Sequence, residues 1–432
     1  MKAQVFLFAT LAAMATAFAD PTATITGCTI ADDVLTVTYT IADGPAVITF
    51  DILTNGTSGA SIGGEAVVSG VLHGSDVWKK VSGTGPHTIR WRTDAWNGSA
   101  DINAVVTAWP LYNPPDYMVA DVSYYAQPNT QRYYPSADFV PGGVLGDVRY
   151  RQTALLMRKI MAKGITWTMG SSTDNRQVTL TNNYYMGVFE VTKAQWAQVM
   201  GAYPTVSSSH TTNYAFTNLL YREMRPIEIV SYNEIRTSGS RSTYNKGNDF
   251  PNPPHGSSFL GKVKTRTGIG FDLPGEAQWE FACRAGHGAG LWGNGTSDSS
   301  ANLNALGRYS GNAGSSINAN SGPEKGTAIC GSYKPNDWGL YDMHGNLNEF
   351  CLDWHTTSGK IADLASLDYR VNIDPSDPSK MLYPAGTAGS KKEKRGGSWS
   401  QSAVASHTRN SEAASTQYNN NGFRVMCPVE VP

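Results

Sequence analysis

Charge is scarce in this chain. Asp, Glu, Lys and Arg make up 16% of its 432 residues, against about 25% in ordinary soluble proteins. Thirty-four basic and 35 acidic side chains leave a net charge of −1, so no global field draws nucleic acid or anionic lipid. The same scarcity excludes a disordered acidic or basic tail protein, and also a coiled coil. Past residue 19 no stretch stays apolar over the roughly 20 residues that a membrane-spanning helix needs. The five cysteines, Cys28, Cys283, Cys330, Cys351 and Cys427, contain no CxxC pair, which removes the common zinc and thioredoxin-like patterns. The histidines contain no His-x3-His pair.

What is abundant is Gly (44), Tyr (21) and Trp (11), a composition suited to short strands, many turns and aromatic packing. The length predicts two or three domains. Residues 1–19 read as an export signal: Lys2 supplies the positive start, Ala3 to Thr16 a short apolar run, and Ala17-Phe18-Ala19 a small-residue cleavage site. An exported, periplasmic or extracellular protein is therefore expected, in a compartment where disulfides persist.

Residues 20–112 alternate with period two. From Leu35 to Ile41, Thr faces one way and Leu, Val, Tyr and Ile the other. Ala46–Leu53 and His87–Arg92 follow the same rule. Turn clusters separate these runs, which predicts an antiparallel immunoglobulin- or fibronectin-like sandwich. Three prolines between Pro110 and Pro115 mark a boundary. Residues 113–164 read as a linker with connecting strands, and a last domain runs over 165–432. Its first helix starts at Thr192, with Gln195 completing a capping box and Gly201 stopping it. Ser231 and Glu234 repeat the arrangement. A third helix runs from Pro274 to Gly286. Residues 237–258, rich in Gly, Ser, Asn and Pro, read as a surface insertion, and beyond Leu291 helical periodicity fades.

Several blocks then stand in order: Met169-Gly-Ser171, Phe189-Glu-Val-Thr-Lys-Ala-Gln-Trp196, Arg225-Pro-Ile-Glu228, Asp272-Leu-Pro-Gly-Glu-Ala-Gln-Trp-Glu-Phe-Ala-Cys-Arg-Ala-Gly286, Gly339-Leu-Tyr-Asp-Met-His-Gly-Asn346, Arg395-Gly-Gly-Ser-Trp399 and Gly422-Phe-Arg424. Together they resemble the sulfatase-modifying-factor, or formylglycine-generating enzyme-like, family. The resemblance implies an α+β, C-type-lectin-like domain with long loops. The family's active enzymes convert a sulfatase cysteine to formylglycine with oxygen and copper held by two thiolates. The positions matching those thiolates are Gln401 and Ser406, and neither an amide nor a hydroxyl replaces a soft thiolate on Cu(I). Copper is not expected. The cleft implied by the resemblance contains Trp399, Gln401, Ser406, His407, Arg409 and Arg424. Trp399 and Arg424 also have structural readings, as core packing and as the partner of a buried carboxylate.

The resemblance further implies calcium, a hard cation that takes oxygen ligands from loops. One site would use Asn346 and Glu349, where Asn348 and Phe350 stand in place of tryptophans common in relatives. A second would begin at Asn302 and Leu303. The competing reading is that these side chains hydrogen-bond the loops internally. Family disulfides map onto Cys283 with Cys427, leaving Cys330 with Cys351 as the second candidate pair. Burial as reduced thiols is the alternative.

Three functions fit: a non-catalytic module holding a peptide, glycan or protein, an enzyme with altered chemistry, or an inactive partner in sulfatase maturation. The first is favoured, because no thiolate pair, metal triad or activated nucleophile is visible.

Overall fold

A computed structural model describes residues 19–55, 59–98, 101–180, 182–204, 222–288, 292–296, 300–314, 325–355, 372–374, 377–382 and 391–429, with backbone alone over 372–382. Except for Ala19, the expected export signal lies outside the described residues. None of the described helices is long and apolar enough to cross a membrane.

The alternation in the first hundred residues builds two three-stranded antiparallel sheets. Val34–Ala42 lies between Thr22–Ala31 and His87–Arg92, while Ala46–Thr54 lies between Lys79–Val81 and Ile102–Trp109. Leu35, Val37, Tyr39 and Ile41 are buried, with the intervening threonines partly exposed, as a period-two strand with one solvated face requires. Their side chains share one apolar cluster with Ile48, Phe50, Ile52, Ile89 and Trp91.

That cluster continues into Tyr117, Tyr134, Tyr150, Leu156 and Phe189. Burial does not stop at the proline-rich segment. Tyr117–Asp121 and Ala154–Ile160 lie well inside a five-stranded antiparallel sheet, ordered Met426–Pro428, Tyr184–Gly187, Ala154–Ile160, Tyr117–Asp121, Arg132–Tyr134. A strand from the middle of the chain, Tyr184–Gly187, thus pairs with the last of the described strands.

The second sheet of this half is ordered Arg409–Glu412, Lys392–Arg395, Asn348–Trp354, Asn421–Gly422, with the last pair parallel. Against it lies the helix Glu276–Arg284, every residue of which is buried. It ends on Ala285 and Gly286, both with positive φ. The helix Lys193–Met200 carries the expected capping box: Thr192 Oγ1 accepts the Gln195 N–H, and Gln195 Oε1 accepts the Thr192 N–H. Its Trp196 stacks on Phe259 of the helix Phe259–Thr267, with ring centroids 5.2 Å apart.

Three expectations change. Ser231 and Glu234 do bond reciprocally, but the turn they open, Asn233–Thr237, has π rather than α geometry. The 237–258 segment is not simply superficial, because Asp249 is buried and accepts hydrogen bonds from Lys392, Tyr232 and Tyr244. One short helix, Ser300–Leu306, forms beyond Leu291.

Thr192 Oγ1 also donates to Arg151 O, so one hydroxyl serves the cap and the 3-10 turn Val148–Arg151. Thr192→Ala is expected to lower the free energy of unfolding by about 1–2 kcal/mol, read as a reduced urea midpoint at unchanged slope.

Candidate functional site

The site is held from below by charged side chains that lie inside the protein. Arg424 donates to both carboxylate oxygens of Glu349, at 2.6 and 2.7 Å, and to the carbonyls of Gly187 and Tyr341 at 3.0 Å. Trp279 Nε1 donates to the same carboxylate at 2.6 Å. Neither Arg424 nor Glu349 has any exposed surface. Burying two charges is tolerable only when the pair is close and its remaining donors are satisfied, and both conditions hold. The residue after Trp279 in its helix, Glu280, joins Arg284 and Arg395. Arg395 in turn donates to His407 O and Thr408 O, which fixes the loop after Trp399.

Arg409, expected in the cleft, is turned inward. Its guanidinium bonds Glu276 and Glu393, and His355 reaches Glu393 at 2.6 Å. Burial, and then the like charge of Glu393, push the Glu276 carboxyl up to about 8, and burial brings nearby Asp353 to about 6.

Above this base, Gly396 and Gly397 both have positive φ. A side chain at Gly397 would come within 2.5 Å of Ala403 O, so the double glycine is what lets the loop turn back. Trp399 is buried against Ala313 and Leu347, and its Nε1 donates to Asn419 O. Gln401, two residues on, is half-buried and belongs to a closed ring of side-chain amides. Asn348 Nδ2 donates to Gln401 Oε1 (2.9 Å), Gln401 Nε2 to Asn410 Oδ1 (3.4 Å), and Asn410 Nδ2 to Asn348 Oδ1 (2.9 Å). Ser398 Oγ adds a second hydrogen bond to Gln401 Oε1. Ser400 and Asn420 border the ring and bond one another. Ser406 is buried and His407 half-buried. Asn410 was not singled out by the sequence reading. The signal was Asn348: where relatives carry a large indole, this chain has a small amide that calls for polar partners.

The donor set does not fit copper, since no sulfur occupies position 401 or 406. Nor does it fit calcium at Asn346 and Glu349. Both Glu349 oxygens are taken by Arg424 and Trp279, while Asn346 donates to Glu190 and accepts the Ala328 N–H. Arg424 already occupies the place a cation would need. At the other position, Asn302 Oδ1 accepts from Asn294, and Leu303 packs with Trp292, Leu306 and Val404.

All five cysteines are free thiols, so the pairs Cys283–Cys427 and Cys330–Cys351 are not formed. Cys283 Sγ lies against Met343 O and His344, Cys330 Sγ against Glu190, and Cys351 Sγ against Glu349 O. Each of these three sulfurs is packed against a different neighbour. His344 donates from Nδ1 to Val404 O, and burial lowers it to about 4. It is a neutral structural histidine.

Residues 145–428 match the model of the sulfatase-modifying factor enzyme 1-like domain. The chain is 30% identical over 208 residues to a protein named chaperone protein LppX from Paenibacillus barcinonensis, covering 44% of this chain and 68% of that one. It is 25% identical over 246 residues to the formylglycine-generating enzyme of Mus musculus, covering 52% of this chain and 59% of the enzyme. Among solved structures, Treponema denticola variable protein 1 aligns with a TM-score of 0.42 and 24% identity, over 63% of this chain and 95% of that one.

Two measurements follow. Arg424→Met leaves Glu349 charged and unpaired in the interior, and is expected to cost about 3–5 kcal/mol, read by thermal or urea unfolding. Glu276 and Asp353 ionise at higher pH in the folded chain than in the unfolded one, so between about pH 4.5 and 8 the fold holds more protons. Stability from these groups is therefore fully present below pH 4 and declines as pH rises through 6 to 8. Melting curves from pH 5 to 9 are expected to show that decline, and Glu276→Gln to flatten it.

Proposed function

The chain belongs to the sulfatase-modifying factor enzyme 1-like family, and we propose that within it this protein is an exported, non-catalytic binding scaffold rather than a copper-dependent formylglycine generator. The observation that carries the reading is the amide ring of Gln401, Asn348 and Asn410, in the place where the family's enzymes hold metal by thiolates. A primary amide offers both donors and acceptors and ionises at no working pH. Such a surface suits a peptide backbone or sugar hydroxyls, and it contains no group able to take up oxygen or attack a carbonyl.

The chaperone named among the relatives supports the same direction, since assisting another protein requires binding it and no oxidation. The matched segment spans 59% of the mouse enzyme, and the enzyme's activity does not transfer on that basis. Residues 20–112, as a small sandwich of immunoglobulin or fibronectin type, would serve as spacer or docking module. The C-terminal part would present its loops in the C-type-lectin manner. Calcium has no part in this reading at Asn346 and Glu349, because Arg424 supplies the positive charge there.

The test uses the purified full chain. Incubation with Cu(I), oxygen and a Cys-x-Pro-x-Arg sulfatase peptide is expected to consume no oxygen and yield no aldehyde, whereas turnover would overturn the proposal. Peptide and glycan arrays probed with the chain are expected to give signals that fall at least tenfold in Gln401→Ala and Asn410→Ala, with the melting temperature held within ~2 °C. Signals indifferent to both substitutions would move the recognition surface elsewhere.

A further inference from the structure

Beneath the site, and separate from the amide ring, three side chains from distant parts of the chain converge. Glu190, Cys330 and Asp342 each bring one ligating atom to within 4.8 Å of the other two. All three are buried, at 0%, 0% and 1% exposure. Glu190 follows the strand Tyr184–Gly187, Cys330 is tied by its N–H to Met224 O, and Asp342 lies in the turn before Gly345-Asn346.

Two features found together set this cluster apart from the other buried acids, since Glu393 also has an unbonded oxygen but pairs with Arg409. The first is an orphan: Asp342 Oδ2 accepts the Gly331 N–H at 2.7 Å, but Oδ1 has no hydrogen-bond partner. A buried carboxylate oxygen without a partner is uncommon and costly, and its explanation is often an ion or water. The second is the lack of a paired cation. Arg424 is committed to Glu349 and two carbonyls, and Arg151 to Cys330 O and Leu145 O. Among the described residues no Lys or Arg forms an ion pair with Glu190 or Asp342. The Sγ of Cys330 lies 3.8 Å from Glu190 Oε2. A tetrahedral zinc with bonds of about 2.3 Å to sulfur and 2.0–2.2 Å to oxygen separates those donors by about 3.6 Å.

We propose that Glu190, Cys330 and Asp342 bind one borderline-soft divalent cation, zinc in the first instance, as a structural ion. Sulfur beside two carboxylates disfavours calcium and magnesium, which take oxygen alone, and a single thiolate is a poor host for Cu(I). Binding releases the thiol proton and any proton held by the carboxyls. The ion adds a positive charge where two acids face each other and gives Asp342 Oδ1 a partner. It adds a common centre to three segments that hydrogen bonds already join pairwise, Gly331 N–H to Asp342 and Leu347 N–H to Glu190 among them. Glu190 also accepts from Asn346 and from the Leu347 N–H, so the ion steadies the turn on which Trp399 rests through its N–H to Asn346 O. With no exposed face, the site is structural and takes no substrate. It is independent of the proposed recognition face: the ion can be present whether or not that face binds anything.

The test uses untagged full-length chain produced in zinc-supplemented medium and, separately, with cobalt. Elemental analysis is expected to find about one zinc per chain. The cobalt form is expected to show a thiolate-to-metal charge-transfer band, and X-ray absorption of the zinc form one sulfur among otherwise oxygen ligands. Cys330→Ser is expected to lose the band and at least nine-tenths of the metal, and Asp342→Asn to lose metal with the fold retained. Cys351→Ser, a buried thiol elsewhere, is expected to keep both. A cooperatively melting wild-type chain that takes up neither metal overturns the proposal, and so does a band that survives Cys330→Ser. Should Cys330→Ser fail to fold, the wild-type absorption spectrum decides: no sulfur in the first coordination sphere rules the site out.

Discussion

The bidentate pair between Arg424 and Glu349 is the constraint on which the rest of this half of the molecule depends. It ties the penultimate segment of the chain to the strand Asn348–Trp354. Through Trp279 it adds the central helix, and through the carbonyls of Gly187 and Tyr341 it adds two more segments. A buried guanidinium must find acceptors for most of its five N–H groups. Satisfying them forces five separate pieces of backbone and side chain into one arrangement. The pair need not contribute much net stability over a well-packed apolar substitute. Its effect is specificity, because any alternative packing strands a charge.

The same logic resolves an oddity of composition. A chain poor in charge would be expected to keep what it has on the surface. Here Arg236, Arg284, Arg395 and Arg424 are among the largest fully buried side chains. Each binds carboxylates on one side and backbone carbonyls on the other. Arg236 takes Asp272 together with Asn248 O and Asn252 O, while Arg395 takes Glu280 together with His407 O and Thr408 O. Loops that make few ladder hydrogen bonds still have carbonyls to satisfy, and buried arginines satisfy them. Part of the chain's charge is thus committed to holding loops.

This also marks how far the sequence could be read. Local rules were legible: the alternation of Leu35 to Ile41, the Thr192–Gln195 box and the close of the central helix at Gly286 all depend on neighbours within a few residues. So did the missing sulfur at 401 and 406, since identity at a position needs no geometry. Nonlocal pairing was not legible. Tyr117–Asp121 and Ala154–Ile160 look like connectors until Tyr184–Gly187 and Met426–Pro428 are brought alongside, nearly 300 residues later. Arg409 and Asn410 are adjacent and both polar. Nothing short of the fold shows that one turns inward to Glu276 while the other closes a ring with Asn348. The cysteines failed for a related reason, because spacing says which thiols exist and not which carboxylate or carbonyl each will meet.

The contrast between base and face has a consequence for how such a domain changes its chemistry. Gln401 sits on a turn whose backbone is determined from elsewhere: by Trp399 N–H on Asn346 O, by the positive-φ pair Gly396–Gly397, and by Arg395 on the carbonyls of His407 and Thr408. None of these interactions involves the side chain at 401 or 406. Replacing a thiolate by an amide there leaves the turn intact, provided the amide's own donors and acceptors are met. Asn348 and Asn410 meet them, and the smaller residue at 348 is what makes the room. Gln401, Asn348 and Asn410 therefore form one coupled set, whose amides meet one another and take no part in the ionic pairs beneath.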